Sequence, residues 1–312
     1  MKIVRVVVAL MLVSMLVFGT AAFGETKKIG LIVQHMTDEW AQDSYTYMQE
    51  MGPSRGYEII LADSEWSLAR EAQHVDSLLS MDLDLVCIQP ADDNASAANV
   101  RQFVERGVPV LSVGVKVESD EIIGFVGWDT FQSGIKVGHN AADYIEQNLG
   151  GKANIVLLTY PLNDNCRQRR LGFESALSTR NIDANYVFDQ NFDGSRELSV
   201  NIMESVLQVN KDIDVVWAAF DAGALGARTA LQAEQHSAKI WSNGGWGQEI
   251  YDLFAANDPH YYANYVVAPN IYADGIFDAI DRYFAGEQEL GNVYIDFPVA
   301  TAENYKEVWS EE

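Results

Sequence analysis

From residue 29 onward the chain alternates short apolar runs with longer amphipathic stretches, joined by short polar links. That alternation constrains the fold more than any other feature, because parallel strands need a crossover between them and a helix is the usual one. Strands are expected at 29–33, 57–61, 83–88, 109–113 and 122–126, with helices at 39–51, 68–79 and 95–106 between them. After Gly127-Trp128-Asp129 comes a helix at about 131–147, which Gly150-Gly151 closes. The rhythm then restarts. Strands at 153–158, 184–188, 213–218, 239–241 and 262–267 alternate with helices at 167–177, 196–207, 222–233, a stretch ending at 254, and 269–284. A late strand at 293–297 and a short helix at 304–309 follow. The chain thus holds two similar βα arrays, the pattern of an α/β protein with two doubly wound parallel-sheet lobes.

The first 24 residues are not expected to belong to either array. Lys2 and Arg5 precede an apolar run at 6–18, and Ala22-Phe23-Gly24 offers small residues where a signal peptidase looks. This pattern predicts a cleaved secretory signal peptide, and with it a periplasmic location. The balance of 21 Lys+Arg against 45 Asp+Glu gives a net charge of -24, and loss of Lys2 and Arg5 takes it to -26. Such a surface argues against a nucleic-acid partner, since phosphates are met by clustered cations. Cys87 lies in an apolar strand and Cys166 in a loop or helix start about 80 residues on. Two free thiols are expected, with Cys87 as core filler. No Cys/His spacing points to a metal, and no cofactor motif is present.

The first strand runs into Gln34, Asp38 and Trp40, beyond the carboxyl end where open parallel sheets present ligand groups. With this segment, IGLIVQHMTDEW (29–40), the mature chain resembles the periplasmic sugar-binding proteins of the ribose/arabinose/galactose type over nearly its full length. Three further runs carry the likeness: GVPVLSVG (107–114), RQRRLGFESAL (167–177) and DIDVVWAAFDAGALGARTAL (212–231). The resemblance implies a type I two-lobed fold with a three-segment hinge near 127–130, 266–269 and 294–298. It assigns 25–128 with 268–296 to an N-terminal lobe and 129–267 with 297–312 to a C-terminal lobe. It also implies capture of a small polar solute, sugar or sugar-like, and its delivery to a membrane ABC permease; a monomer is the default expectation. The same scaffold serves sensing, where an autoinducer-2 or methylated-amine ligand is presented to a sensor kinase.

The residues fill in this expectation. Trp40 can lay a ring face on a ligand's C–H face or on a cation. Asp38 can accept hydroxyls, cap the helix after it, or do both. Gln34 reads equally as pocket or loop, and His35 as a loop residue. Arg167 matches the family's pocket arginine, while Arg169 and Arg170 read as solvated helix residues. Asn243 ends its strand where the family uses Asp or Asn. Trp246 either caps the cleft or packs in its loop, and Trp128 and Phe192 complete an aromatic set. At three positions the family pattern breaks. Gly114 stands where Asp is usual, Phe220-Asp221 replaces Asn-Asp, and Val267 stands for a polar group. A buried hydroxyl left unpaired costs about 1–3 kcal/mol. The ligand is therefore expected to be smaller or less hydroxylated than ribose or glucose, or to carry a cationic or apolar group.

Two other classes are weighed against binding. An enzyme is not expected, for want of a Walker loop, HExxH, GxSxG or Cys/His constellation. A two-lobed transcription regulator would need a helix-turn-helix ahead of the first strand, where this chain has its apolar leader.

Overall fold

The computed structural model describes residues 26–309, so the expected signal peptide lies outside the described residues. Two six-stranded sheets, each flanked by helices, make up the molecule. The first has β1 (Lys27–Val33), β2 (Tyr57–Asp63), β3 (Leu85–Ile88), β4 (Val110–Val113), β5 (Gly124–Gly127) and β11 (Gly291–Tyr294), in the spatial order β11-β5-β4-β3-β1-β2. All its pairings are parallel. The second has β6 (Lys152–Thr159), β7 (Asp183–Asn191), β8 (Val215–Ala218), β9 (Lys239–Gly245), β10 (Tyr261–Val266) and β12 (Val299–Thr301), in the order β12-β10-β9-β8-β6-β7. Only β12 runs antiparallel, against β10.

The central strands are buried on both faces, which is why they read as continuous apolar runs rather than alternating ones. β3, β4 and β8 are buried at every residue. Several helices start where a short polar side chain caps them. Asp38 accepts the Ala41 N–H ahead of α1 (Glu39–Met51), Ser67 that of Arg70 ahead of α2 (Leu68–Leu78), Asp129 that of Gln132 ahead of α4 (Thr130–Leu149), and Asn163 that of Cys166 ahead of α5 (Asp164–Thr179), while α3 (Ala97–Glu105) begins without a side-chain cap. Gly150, at φ 68°, ends α4 in the left-handed conformation that glycine adopts without strain.

The chain passes between the sheets three times: after Gly127, after Val266 and after Tyr294. The last crossing differs from the sequence reading. The run expected as one strand at 293–297 ends at Tyr294, and a strand not foreseen, β12, follows Pro298. Its apolar residues are divided between β11 and the crossing that follows, where Phe297 is buried, so the run is continuous in composition but not in structure. Cys87 and Cys166 are both free and buried. Among the described residues no helix is long and apolar enough to cross a membrane, and no His/Cys/Asp/Glu group could hold a metal ion.

Candidate functional site

The loops that leave the carboxyl ends of both sheets converge on one cavity of about 430 Å³. From the first sheet come Asp38, Glu39 and Trp40, at the turn from β1 into α1. Asp38 both lines the cavity and caps the helix, its carboxylate 2.8 Å from the Ala41 nitrogen and 3.7 Å from His35 Nε2. Trp40 donates its indole N–H to the Val267 carbonyl at 2.8 Å, which ties the ring to a crossing segment. Trp128, just past β5, lies 6.1 Å from Trp40 and 5.9 Å from Tyr272, ring to ring. Its Nε1 is buried and has no partner among the described residues.

The second sheet contributes Phe220, Asp221 and Ala222 after β8, and Gly244, Gly245 and Trp246 at the end of β9. The Asp221 carboxylate accepts from Ser242 Oγ and Tyr261 Oη, each at 2.9 Å, and from the backbone N–H of Trp246. Burial pushes its pKa up to about 7, against the pull of those donors and of the Arg169 charge. Arg169 reaches the wall from α5. Its Nη1 donates to the Ala219 carbonyl at 3.0 Å, and its Nε is buried without a partner among the described residues.

A close helix contact places Arg169. A Cβ at Gly172 would fall 2.1 Å from the Phe131 carbonyl oxygen, and one at Gly134 would fall 2.0 Å from the carbonyl oxygen of Arg169 itself. Glycine alone lets α4 and α5 approach this far. The two sides of the cavity also touch directly. Trp246 Nε1 donates to Asp43 at 2.7 Å, and the Gln248 N–H donates to Glu39 at 3.1 Å. Trp309 stacks on the Trp246 ring, with centroids 5.1 Å apart and planes 9° apart.

Of the residues expected from sequence, Asp38, Trp40, Trp128, Phe220, Asp221 and Trp246 line this cavity. The others stand elsewhere. Gln34 donates its side-chain amide to the Pro90 carbonyl at 2.8 Å. Gly114 has φ 67°, and its missing Cβ would meet Tyr272 Oη at 2.8 Å and Gln89 Nε2 at 3.0 Å, so those side chains fill the room. Phe192 is fully buried behind Phe220, 4.9 Å away. Asn243 is fully buried and donates to Ser133 Oγ at 2.9 Å, joining β9 to α4.

Arg167 is not on the wall. It donates to the Pro161 carbonyl at 2.6 Å and to Asp164 at 2.7 Å, beside a separate surface pocket. Arg169, read from sequence as a solvated residue, is the arginine of the cavity, and this corrects both expectations. A usable signal lay in the sequence. Gly172 marks the face of α5 that packs closely, and on a helix a residue three places earlier lies about 60° away while one five places earlier lies about 140° away. Sequence reasoning also passed over Glu39, Gly244 and Gly245, which line the cavity too.

A model of the periplasmic binding protein domain matches residues 29–288. The chain belongs to this family. Among curated members, the ribose import binding protein of Bacillus subtilis is 27% identical over 206 residues, 66% of this chain and 65% of that protein. The xylitol-binding protein of Mycolicibacterium smegmatis is 27% identical over 215 residues, 68% of this chain and 60% of that one. The chain thus spans somewhat under two thirds of the length of these two relatives. A solute-binding protein of Actinobacillus succinogenes, solved with bound D-allose, superposes with a TM-score of 0.79 at 19% identity, covering 90% of this chain and 99% of that one. The arabinose-binding protein AraP of Geobacillus stearothermophilus gives 0.78 at 15% identity, covering 91% and 99%. At such identities the structural likeness shows the fold: two parallel-sheet α/β lobes of the type I periplasmic binding kind.

Proposed function

We propose that this family member captures a small polar solute, sugar or sugar-like, between its lobes and delivers it to a membrane ABC permease. The observation that carries the reading is the cavity of about 430 Å³, whose walls come from the carboxyl ends of both sheets. Its size suits one small molecule. Its tryptophan and phenylalanine faces suit the C–H faces of a sugar ring. The relatives named for ribose and xylitol support a hydroxylated solute.

In this reading residues 25–128 with 268–296 form one lobe and 129–267 with 297–312 the other. The three crossings act as the hinge, and the lobes close on the solute. Asp38, Trp40, Trp128, Arg169, Phe220, Asp221 and Trp246 contact it. The protein acts as a monomer in the periplasm after loss of residues 1–24, and it does no chemistry on what it carries. Isothermal titration with pentoses, hexoses and polyols, beside small-angle scattering for closure, tests this. The expected result is micromolar binding to at least one of them with a smaller radius of gyration in the complex. A folded protein that binds no small hydroxylated solute, neutral or acidic, removes the reading.

A further inference from the structure

The charges around the cavity are not equally committed. Three carboxylates stand on its wall, and each accepts at least one hydrogen bond from the protein. Asp38 holds the Ala41 N–H and faces His35, Glu39 holds the Gln248 N–H, and Asp221 holds Ser242, Tyr261 and the Trp246 N–H. Arg169 is the opposite case. Of its five N–H donors one is used, on the Ala219 carbonyl, and no carboxylate pairs with it among the described residues. That is unusual in a chain with 45 acidic and 21 basic residues. Its neighbours on the same helix follow the composition: Arg167 pairs with Asp164, and Arg170 with Glu174 and Asp189.

A half-buried guanidinium with no ion pair, only the longer-range charge of Asp221, is unfavourable once a cleft closes over it, because water is withdrawn. A planar anion relieves that. Arginine offers paired donors at the spacing of carboxylate oxygens, and such charge-assisted bonds are the strong ones. A second donor, Trp128 Nε1, lies on the same wall with no partner among the described residues. The cavity therefore presents unused donors with one positive charge, beside carboxylates that are each partly engaged.

We propose that the solute is an acid, a small hydroxylated carboxylate of the aldonate or uronate class, and that Arg169 receives its carboxylate. This rests on the solute-capture reading and narrows it.

The test is calorimetry on the mature chain with gluconate, glucuronate and galacturonate, each beside its neutral sugar or polyol in one buffer. At least one acid is expected to bind about tenfold or more tightly than its neutral counterpart, the size of one charge-assisted hydrogen bond. Arg169→Gln is expected to weaken the acid about tenfold more than it weakens the neutral compound, with Arg169→Lys in between because it keeps the charge and loses the fork. Should Arg169→Gln fail to fold, the contrast between acid and neutral compound on the unaltered chain still decides. Neutral compounds that bind as tightly as the acids overturn the inference and leave solute capture standing. Binding of neither kind, by a chain with a normal melting transition, overturns both.

Discussion

Asp221 ties two strands and a loop together through one carboxylate, with Ser242 on β9, Tyr261 on β10 and the Trp246 amide all donating to it. Its pKa rises from 3.8 to about 7 on folding because burial opposes the charge. The sign of the consequence follows. Between these values the folded chain holds a proton that the unfolded chain has released. The group's contribution to stability is therefore fully present below the unfolded value and is lost as pH rises through the folded one. Melting temperatures of the native chain and Asp221→Asn, measured across this window, are expected to converge or cross as pH rises, with the native chain showing the steeper decline. Parallel profiles would mean that Asp221 titrates normally. The same residue shows what the sequence can disclose. The break from Asn-Asp to Phe220-Asp221 was visible, and so was the polar-to-apolar change at Val267. That Asp221 would find its donors on β9 and β10 was not, because those bonds depend on sheet order. Likewise the Gly114 break was legible, but that Tyr272 and Gln89 occupy the vacated space was not, since Tyr272 lies over 150 residues along the chain.

The contact between α4 and α5 is where helix packing sets site geometry. Gly134 and Gly172 bring the two backbones within van der Waals reach, and the carbonyl of Arg169 lies in that seam. Gly172→Val inserts a branched side chain where the Phe131 carbonyl stands. It is expected to lower stability by about 1–3 kcal/mol, the usual penalty of overpacking, and to weaken ligand binding through the displaced arginine. Denaturant unfolding and calorimetry on the same sample measure both. Binding that persists unchanged alongside lost stability would show that Arg169 is positioned by something other than the seam. Elements of this kind were well read from sequence. The helix at 269–284 falls where its Pro and apolar spacing place it, and β3, β4 and β8 declare themselves as apolar runs. The failure at 293–297 has a physical cause: hydrophobicity reports burial, and a crossing between two buried sheets is itself partly buried.

At the scale of the whole molecule the net charge of -24 sets how a solute arrives. An acidic solute is repelled on approach and held only once Arg169 is reached. Screening lengths fall from about 30 Å at 0.01 M salt to about 8 Å at 0.15 M. Raising salt over that range is expected to speed association of an acid, while leaving a neutral sugar nearly unaffected. Stopped-flow tryptophan fluorescence reads this, since Trp40, Trp128 and Trp246 all line the cavity. A rate that falls with salt would point to a cationic solute. The two-lobed plan was legible from the repeated βα rhythm alone. Which surfaces of the two arrays would face each other was not, because no local pattern encodes it.

The Trp246–Trp309 stack bears on how the protein can be handled. The ring that touches the cavity on one side is backed on the other by Trp309, just past the last described helix. A tag or fluorescent fusion joined directly after Trp309 hangs one ring away from the cavity and bears on the loop that reaches Asp43. The other end is better placed. Lys27 opens β1 at the edge away from the cavity, and at about 3.3 Å per residue the strand holds the two ends about 20 Å apart. Reporters intended to leave capture undisturbed belong ahead of Lys27, and reporters intended to sense it belong after Trp309.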